Sequence, residues 1–158
     1  FIAGAPGEPE YVAELERAVA QLSPAAAERL TVEGAVDDMT VYFAAADIYV
    51  CTSRVESAPR VLVEAMAHGL PIVTTDVFGI PEMVDENVNA LFYKPADVAT
   101  LARHLTTLLT NKSVRTAFGL ASPYVLRSRP GYAEMVQGYA EIIAEAAMLS
   151  DVSGRAET

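Results

Sequence analysis

Five short apolar runs, set between stretches of helical period, limit what this chain can fold into more than any other feature. "FIAG" (1–4), "LTVEG" (30–34), "DIYVCT" (47–52), "PIVTT" (71–75) and "NALFY" (89–93) each read as a strand. They are apolar along most of their length instead of alternating, as strands covered on both faces are. Pro9 opens a segment in which Val12, Leu15, Val19 and Leu22 keep helical spacing. Asp37 and Asp38 are N-cap candidates for a short helix with Met39, Tyr42, Phe43 and Ala46 on one face. Pro59 stands at the first position of a helix running to His68. This alternation predicts an α/β fold: a doubly wound, mainly parallel sheet with helices on both faces.

After Pro95 the pattern turns helical, with Val98, Leu101, Leu105, Leu108 and Leu109 in one stripe. A second stripe holds Tyr132, Met135, Val136, Tyr139, Ile142, Ile143 and Ala146. The reading is one domain over 1–128, a C-terminal helix over 129–150, and a disordered tail over 151–158, "DVSGRAET", which lacks any apolar period.

The 158 residues suffice for a sizeable core, and 52% hydrophobic content is too high for a disordered chain, yet polar residues break every stretch long enough to span a bilayer. Eleven basic against 21 acidic side chains give a net charge of −10, which repels nucleic acid and anionic membrane surfaces. Cys51, the only cysteine, lies in an apolar run and reads as a small core residue, with a reducing cytoplasm as the expected location. The N-terminus has neither an initiator Met nor the basic start of a signal peptide, and already reads as a strand, so the chain is expected to be cut from something longer.

The helix from Pro59 is apolar on most of its circumference, through Val61, Leu62, Val63, Ala65, Met66 and Ala67. Arg60, Glu64 and His68 interrupt it at intervals of four, and since each such step drifts only about 40°, they share one narrow stripe. This helix follows directly from the carboxyl end of a strand, the edge at which open α/β sheets bind ligands, and its first N–H groups suit a phosphate. Glu64 lies about 7–8 Å along the axis from Pro59, and Glu56 stands before the helix begins. A pyrophosphate at the helix start then has one carboxylate on each side, a spacing that suits a ligand with a sugar diol at each end. The alternative is a solvated Glu64 paired with Arg60, and a loop Glu56 favoured by the helix dipole. Arg60, a cation in the first turn, opposes that dipole and wants an anionic partner, either a phosphate or one of the two glutamates.

"ADIYVCTSRVESAPRVLVEAMAHGLPIVTTDVFGIPEMVDENVNALFY" resembles the C-terminal, nucleotide-sugar-binding domain of the retaining family 4 (group 1) glycosyltransferases, whose two facing Rossmann-like domains make the GT-B fold. The ordered string carries the resemblance: two glutamates separated by seven residues, then "EAMAHGLPIV", then "GIPE". It runs from residue 1 to about 126, and the terminal helix suits the family as well. The resemblance implies a hexose moved from a nucleoside diphosphate sugar, UDP- or GDP-linked, to an acceptor hydroxyl, without a metal or other cofactor. Glu64 would bind the ribose hydroxyls and Glu56, the catalytic candidate, hydroxyls of the transferred sugar. Main-chain groups of Ser57, Ala58, Pro59 and Arg60 would line sugar and diphosphate, Pro59 having no N–H to give, and the main chain at Val36 would contact the base.

Departures from the family pattern accompany these implications. The family commonly has aromatic and glycine residues where Ala58 and Pro59 stand, and a second glycine where Phe78 precedes Gly79. The family's first strand of this domain, with its Arg and Lys for the pyrophosphate, is missing, as is the acceptor-binding domain. The chain alone is therefore expected to be inactive, with any membrane contact made through the missing domain. Two rivals stand beside this reading: a nucleoside diphosphate sugar epimerase of the same fold, and a non-catalytic nucleotide-binding or interaction module. Asp37–Asp38 reads as a helix cap and not as a metal site, His68 as a C-cap, and His104 as a surface residue.

Overall fold

A computed structural model describes residues 2, 3 and 7–154. The elements follow in order: β1 (Ile2–Ala3), α1 (Pro9–Ala20), α2 (Pro24–Ala27), β2 (Val32–Glu33), α3 (Thr40–Ala45), β3 (Tyr49–Cys51), α4 (Arg60–Ala67), β4 (Ile72–Thr75), α5 (Ile80–Met83), β5 (Ala90–Tyr93), α6 (Val98–Thr110), α7 (Lys112–Arg127) and α8 (Tyr132–Gly154). Each of the five apolar runs contains a strand, and every pairing is parallel, as predicted. β1 pairs with β2, and β3, β4 and β5 form a second sheet in that order, with Val50 opposite Val73 and Val73 opposite Leu91.

The side-chain alternation of the second sheet builds two core layers. Ile72 and Ala90 turn to one face and pack with Leu62 and Met66 of α4, Ile80 of α5 and Val125 of α7. Val73 and Tyr93 turn to the other and pack with Leu108 of α6, flanked by Leu101, Leu105 and Phe118. β4, the middle strand, is buried at all four positions. Fully burying a Leu or Met contributes roughly 1.5–3 kcal/mol, so Leu62 and Met66 fix α4 firmly on its face.

The backbone divides into two compact units, residues 1–44 and 45–158, with the boundary inside the stretch 1–128 that the sequence reads as one domain. In the first unit the expectation of strands covered on both faces fails: Ile2 and Val32 are exposed, and α1, though it keeps the expected period, buries no residue. A two-stranded ladder offers too little surface to cover either face of its strands. Asp38 accepts from the Thr40 N–H at 2.8 Å, which is the capping role expected of it, and hydrogen bonds from the Thr40 side chain and then its backbone lower its pKa.

Three further expectations change. Residues 151–154, expected in a disordered tail, extend α8, because adding a residue to a formed helix costs far less than starting one; 155–158 lie outside the described residues. His104 is half-buried and its Nε2 donates to the Phe92 carbonyl of β5 at 3.0 Å, instead of lying free on the surface. The stripe on α8 exists but faces outward, with Tyr132, Tyr139, Ile142 and Ile143 all more exposed than not. Among the described residues no helix is long and apolar enough to cross a membrane.

Candidate functional site

The loop from Thr52 to Pro59 joins the carboxyl end of β3 to α4, and the sheet holds its start. At its start, Tyr93 Oη donates to the Cys51 carbonyl at 3.5 Å and Thr75 Oγ1 donates to the Ser53 carbonyl at 2.6 Å. Towards its end Pro59 is buried. Pro59 is the N-cap of α4, with extended backbone (φ −67°, ψ 115°), and the helix proper begins at Arg60, one residue later than predicted. With no N–H and no side-chain acceptor, Pro59 leaves the helix tip uncapped. Its carbonyl takes the Leu62 N–H at 3.0 Å, while the amides of Arg60 and Val61 precede any intrahelical acceptor.

The opposite end of α4 is fully closed. His68 is the C-cap, Gly69 takes a left-handed backbone at φ 71°, Gly69 N–H reaches the Met66 carbonyl at 3.0 Å, and Leu70 N–H reaches the Ala65 carbonyl at 3.1 Å. These two crossed bonds make a Schellman motif. His68 Nδ1 adds a bond to the Glu64 carbonyl at 2.9 Å, as its C-cap assignment predicts. Beyond it, Ser122 Oγ of α7 donates to the Leu70 carbonyl at 2.6 Å, Asn89 Nδ2 donates to that hydroxyl at 3.3 Å, and Asn89 Oδ1 accepts from Asp85 N–H at 2.9 Å. Every member of this buried chain is satisfied, so it clamps the end of the helix without an unpaired polar group.

Along the polar stripe, Glu56 is half-buried and Glu64 and Arg60 are exposed. None of the three enters an ion pair among the described residues, whose salt bridges are Lys94–Asp76, Arg115–Asp47 and Arg129–Asp85. The pairing of Arg60 with a glutamate, one of the two alternatives left open by the sequence, is therefore not formed. Tyr49 of β3 is half-buried. Its hydroxyl is pushed well above the ordinary tyrosine range, first by burial, then by the charges of Cys51, Glu64 and Glu56. Tyr49 was missed in the sequence because it reads there as one more apolar strand position.

A hollow of about 720 Å³ lies against this loop, walled by Ser57, Ala58, Met66, Gly79, Met83 and Leu126 among others. Glu56, Pro59, Arg60 and Glu64 do not line it, so it sits beside the helix tip and not between the two acids. Val36 belongs to the first unit, in the loop three residues beyond β2. Among the described residues no cluster of His, Cys, Asp and Glu is arranged to hold a metal ion.

Residues 1–111, well over half of the chain, match the family model described as "Glycosyl transferases group 1". The chain belongs to this family. A sulfoquinovosyl transferase of Arabidopsis thaliana is 32% identical over 89 residues, 54% of this chain and 18% of that protein. An alpha-maltose-1-phosphate synthase of Mycobacterium tuberculosis is 34% identical over 130 residues, 75% of this chain and 33% of that protein. The crystal structure of Anabaena HepE in complex with UDP-glucose superposes with a TM-score of 0.79 at 27% identity, covering 90% of this chain and 40% of that one. The group 1 chain therefore spans a third or less of the length of these curated relatives, and its fold is the Rossmann-like α/β fold of GT-B glycosyltransferases.

Proposed function

We propose that this chain is the C-terminal, donor-binding part of a retaining, family 4 glycosyltransferase, which moves a hexose from a UDP- or GDP-linked sugar to an acceptor hydroxyl. The uncapped tip of α4 holds the diphosphate through the Arg60 and Val61 amides, with the Arg60 guanidinium as counter-charge. Glu64 accepts hydrogen bonds from the ribose hydroxyls and Glu56 from hydroxyls of the transferred sugar. In the transfer step the bond from the sugar C1 to the phosphate oxygen breaks, the acceptor oxygen bonds to C1 on the same face, and its proton passes to the departing phosphate. The helix dipole and the tip amides meet the charge that develops there, without a metal.

One observation carries this reading: a helix closed with care at its carboxyl end is left open at its amino end, with Glu56 before it, Arg60 at its first position and Glu64 one turn on, none of them in an ion pair among the described residues. The likeness to a structure solved in complex with UDP-glucose supports a nucleotide sugar as the ligand. The outward apolar stripe of α8 supports a covering domain, in which we place the acceptor site. Calorimetric titration of UDP and of GDP into the protein tests the proposal. Binding of one of the two, weakened by Glu64→Ala, is expected; absence of binding by both removes the reading and favours an interaction module.

A further inference from the structure

Gly79 lies in the turn between β4 and α5, and its backbone abuts the loop that leads into α4. A Cβ added there would fall inside the van der Waals envelope of the Ser57 carbonyl oxygen and only 3.0 Å from the Ser57 carbonyl carbon. Gly79 has φ −82°, which any residue adopts, so glycine is required by proximity and not by backbone conformation. Both contacted atoms are backbone, and no truncation of the Ser57 side chain would relieve them.

The two sides of this contact differ in firmness. The turn is fixed: Ile80 beside Gly79 is fully buried, Val77 packs on the core, and Ile80 N–H bonds to the Val77 carbonyl at 3.1 Å. Phe78 is held at φ 46°, a left-handed backbone that a bulky residue keeps only where its surroundings impose it. The loop is less constrained. Ser57 and Ala58 are exposed, and both border the hollow that Met66, Met83 and Leu126 also line, so there is open space beside the loop. Any added volume at Gly79 is therefore relieved by movement of the loop.

We infer that Gly79 is a positioning residue for sugar transfer: it is the stop against which the Ser57–Ala58 backbone rests, and so sets where that backbone meets the transferred sugar. This rests on the donor-site reading proposed above. Glu64 is carried by the rigid body of α4 and does not depend on the stop.

The test is Gly79→Ala in the full-length protein, with Gly138→Ala as control, since a Cβ at Gly138 meets nothing within 4 Å. UDP and GDP affinities and steady-state transfer from UDP-glucose and GDP-mannose are measured for each. For Gly79→Ala the expected result is a fall in kcat of about 100-fold, the order of a 1 Å misplacement, with nucleotide affinity within about threefold of wild type. The control keeps wild-type values. Unchanged kcat in Gly79→Ala, or a parallel loss of kcat, nucleotide affinity and thermal stability, overturns the inference while leaving the donor site standing. A wild-type protein that binds neither nucleotide overturns both.

Discussion

The two ends of α4 are built on opposite principles. At the carboxyl end a left-handed glycine, two crossed backbone bonds and a histidine ring satisfy the Glu64, Ala65 and Met66 carbonyls, and a buried Ser122–Asn89 chain holds the Leu70 carbonyl just beyond. At the amino end a proline supplies no capping group, and a cation sits in the first turn against the dipole with no partner among the described residues. Helices of this length gain from a cap at either end, about 1 kcal/mol for a good N-cap. Under the proposed function, the open end is left for the diphosphate of the donor. The closed end holds the axis still, and the open end presents the amides.

Substitutions at each end sharpen or break this contrast. The largest expected effect is at the open end: Glu56→Ala lowers transfer by about 100-fold or more through loss of sugar orientation, with nucleotide affinity little changed. Next, Glu64→Ala removes hydrogen bonds to a charged acceptor worth roughly 1.5–3 kcal/mol, and nucleotide affinity read by calorimetry falls about 10- to 150-fold. Wild-type behaviour of both variants would dissolve the proposed roles. The smallest effect lies at the closed end. Gly69→Ala places a side chain at φ 71° and close to the Gly119 carbonyl, destabilising the fold by about 1–2 kcal/mol in urea unfolding while leaving nucleotide affinity unchanged. A marked drop in nucleotide affinity for this variant would mean that the two ends are not independent.

Much of the second unit was legible in the sequence because its signals are local. The apolar runs "PIVTT" and "NALFY" give β4 and β5, and Arg60, Glu64 and His68 at intervals of four give the polar stripe of α4. Pro59 marked the helix start to within one residue, the usual slack at a helix end. What remained hidden depends on partners far apart in the chain. Ser122 lies 52 residues from the carbonyl it caps and Asn89 lies 33 from Ser122, and nothing local marks either as part of a clasp on α4. Tyr49 could not be told from its apolar neighbours until β3 and the loop after it were in place. The first unit shows the converse: its strand signals were correct in kind, but a strand's burial depends on how many neighbours it has, which its own residues do not record.

Backbone amide shifts of the 158-residue protein, followed by NMR as UDP or GDP is added, test the central claim most directly. Saturable shifts largest at Ser57, Ala58, Arg60 and Val61, with His68, Gly69 and Leu70 nearly still, are the predicted result. Shifts centred on the closed end of α4 or on the hollow by Met83 and Leu126, with the four tip amides unmoved, would contradict it.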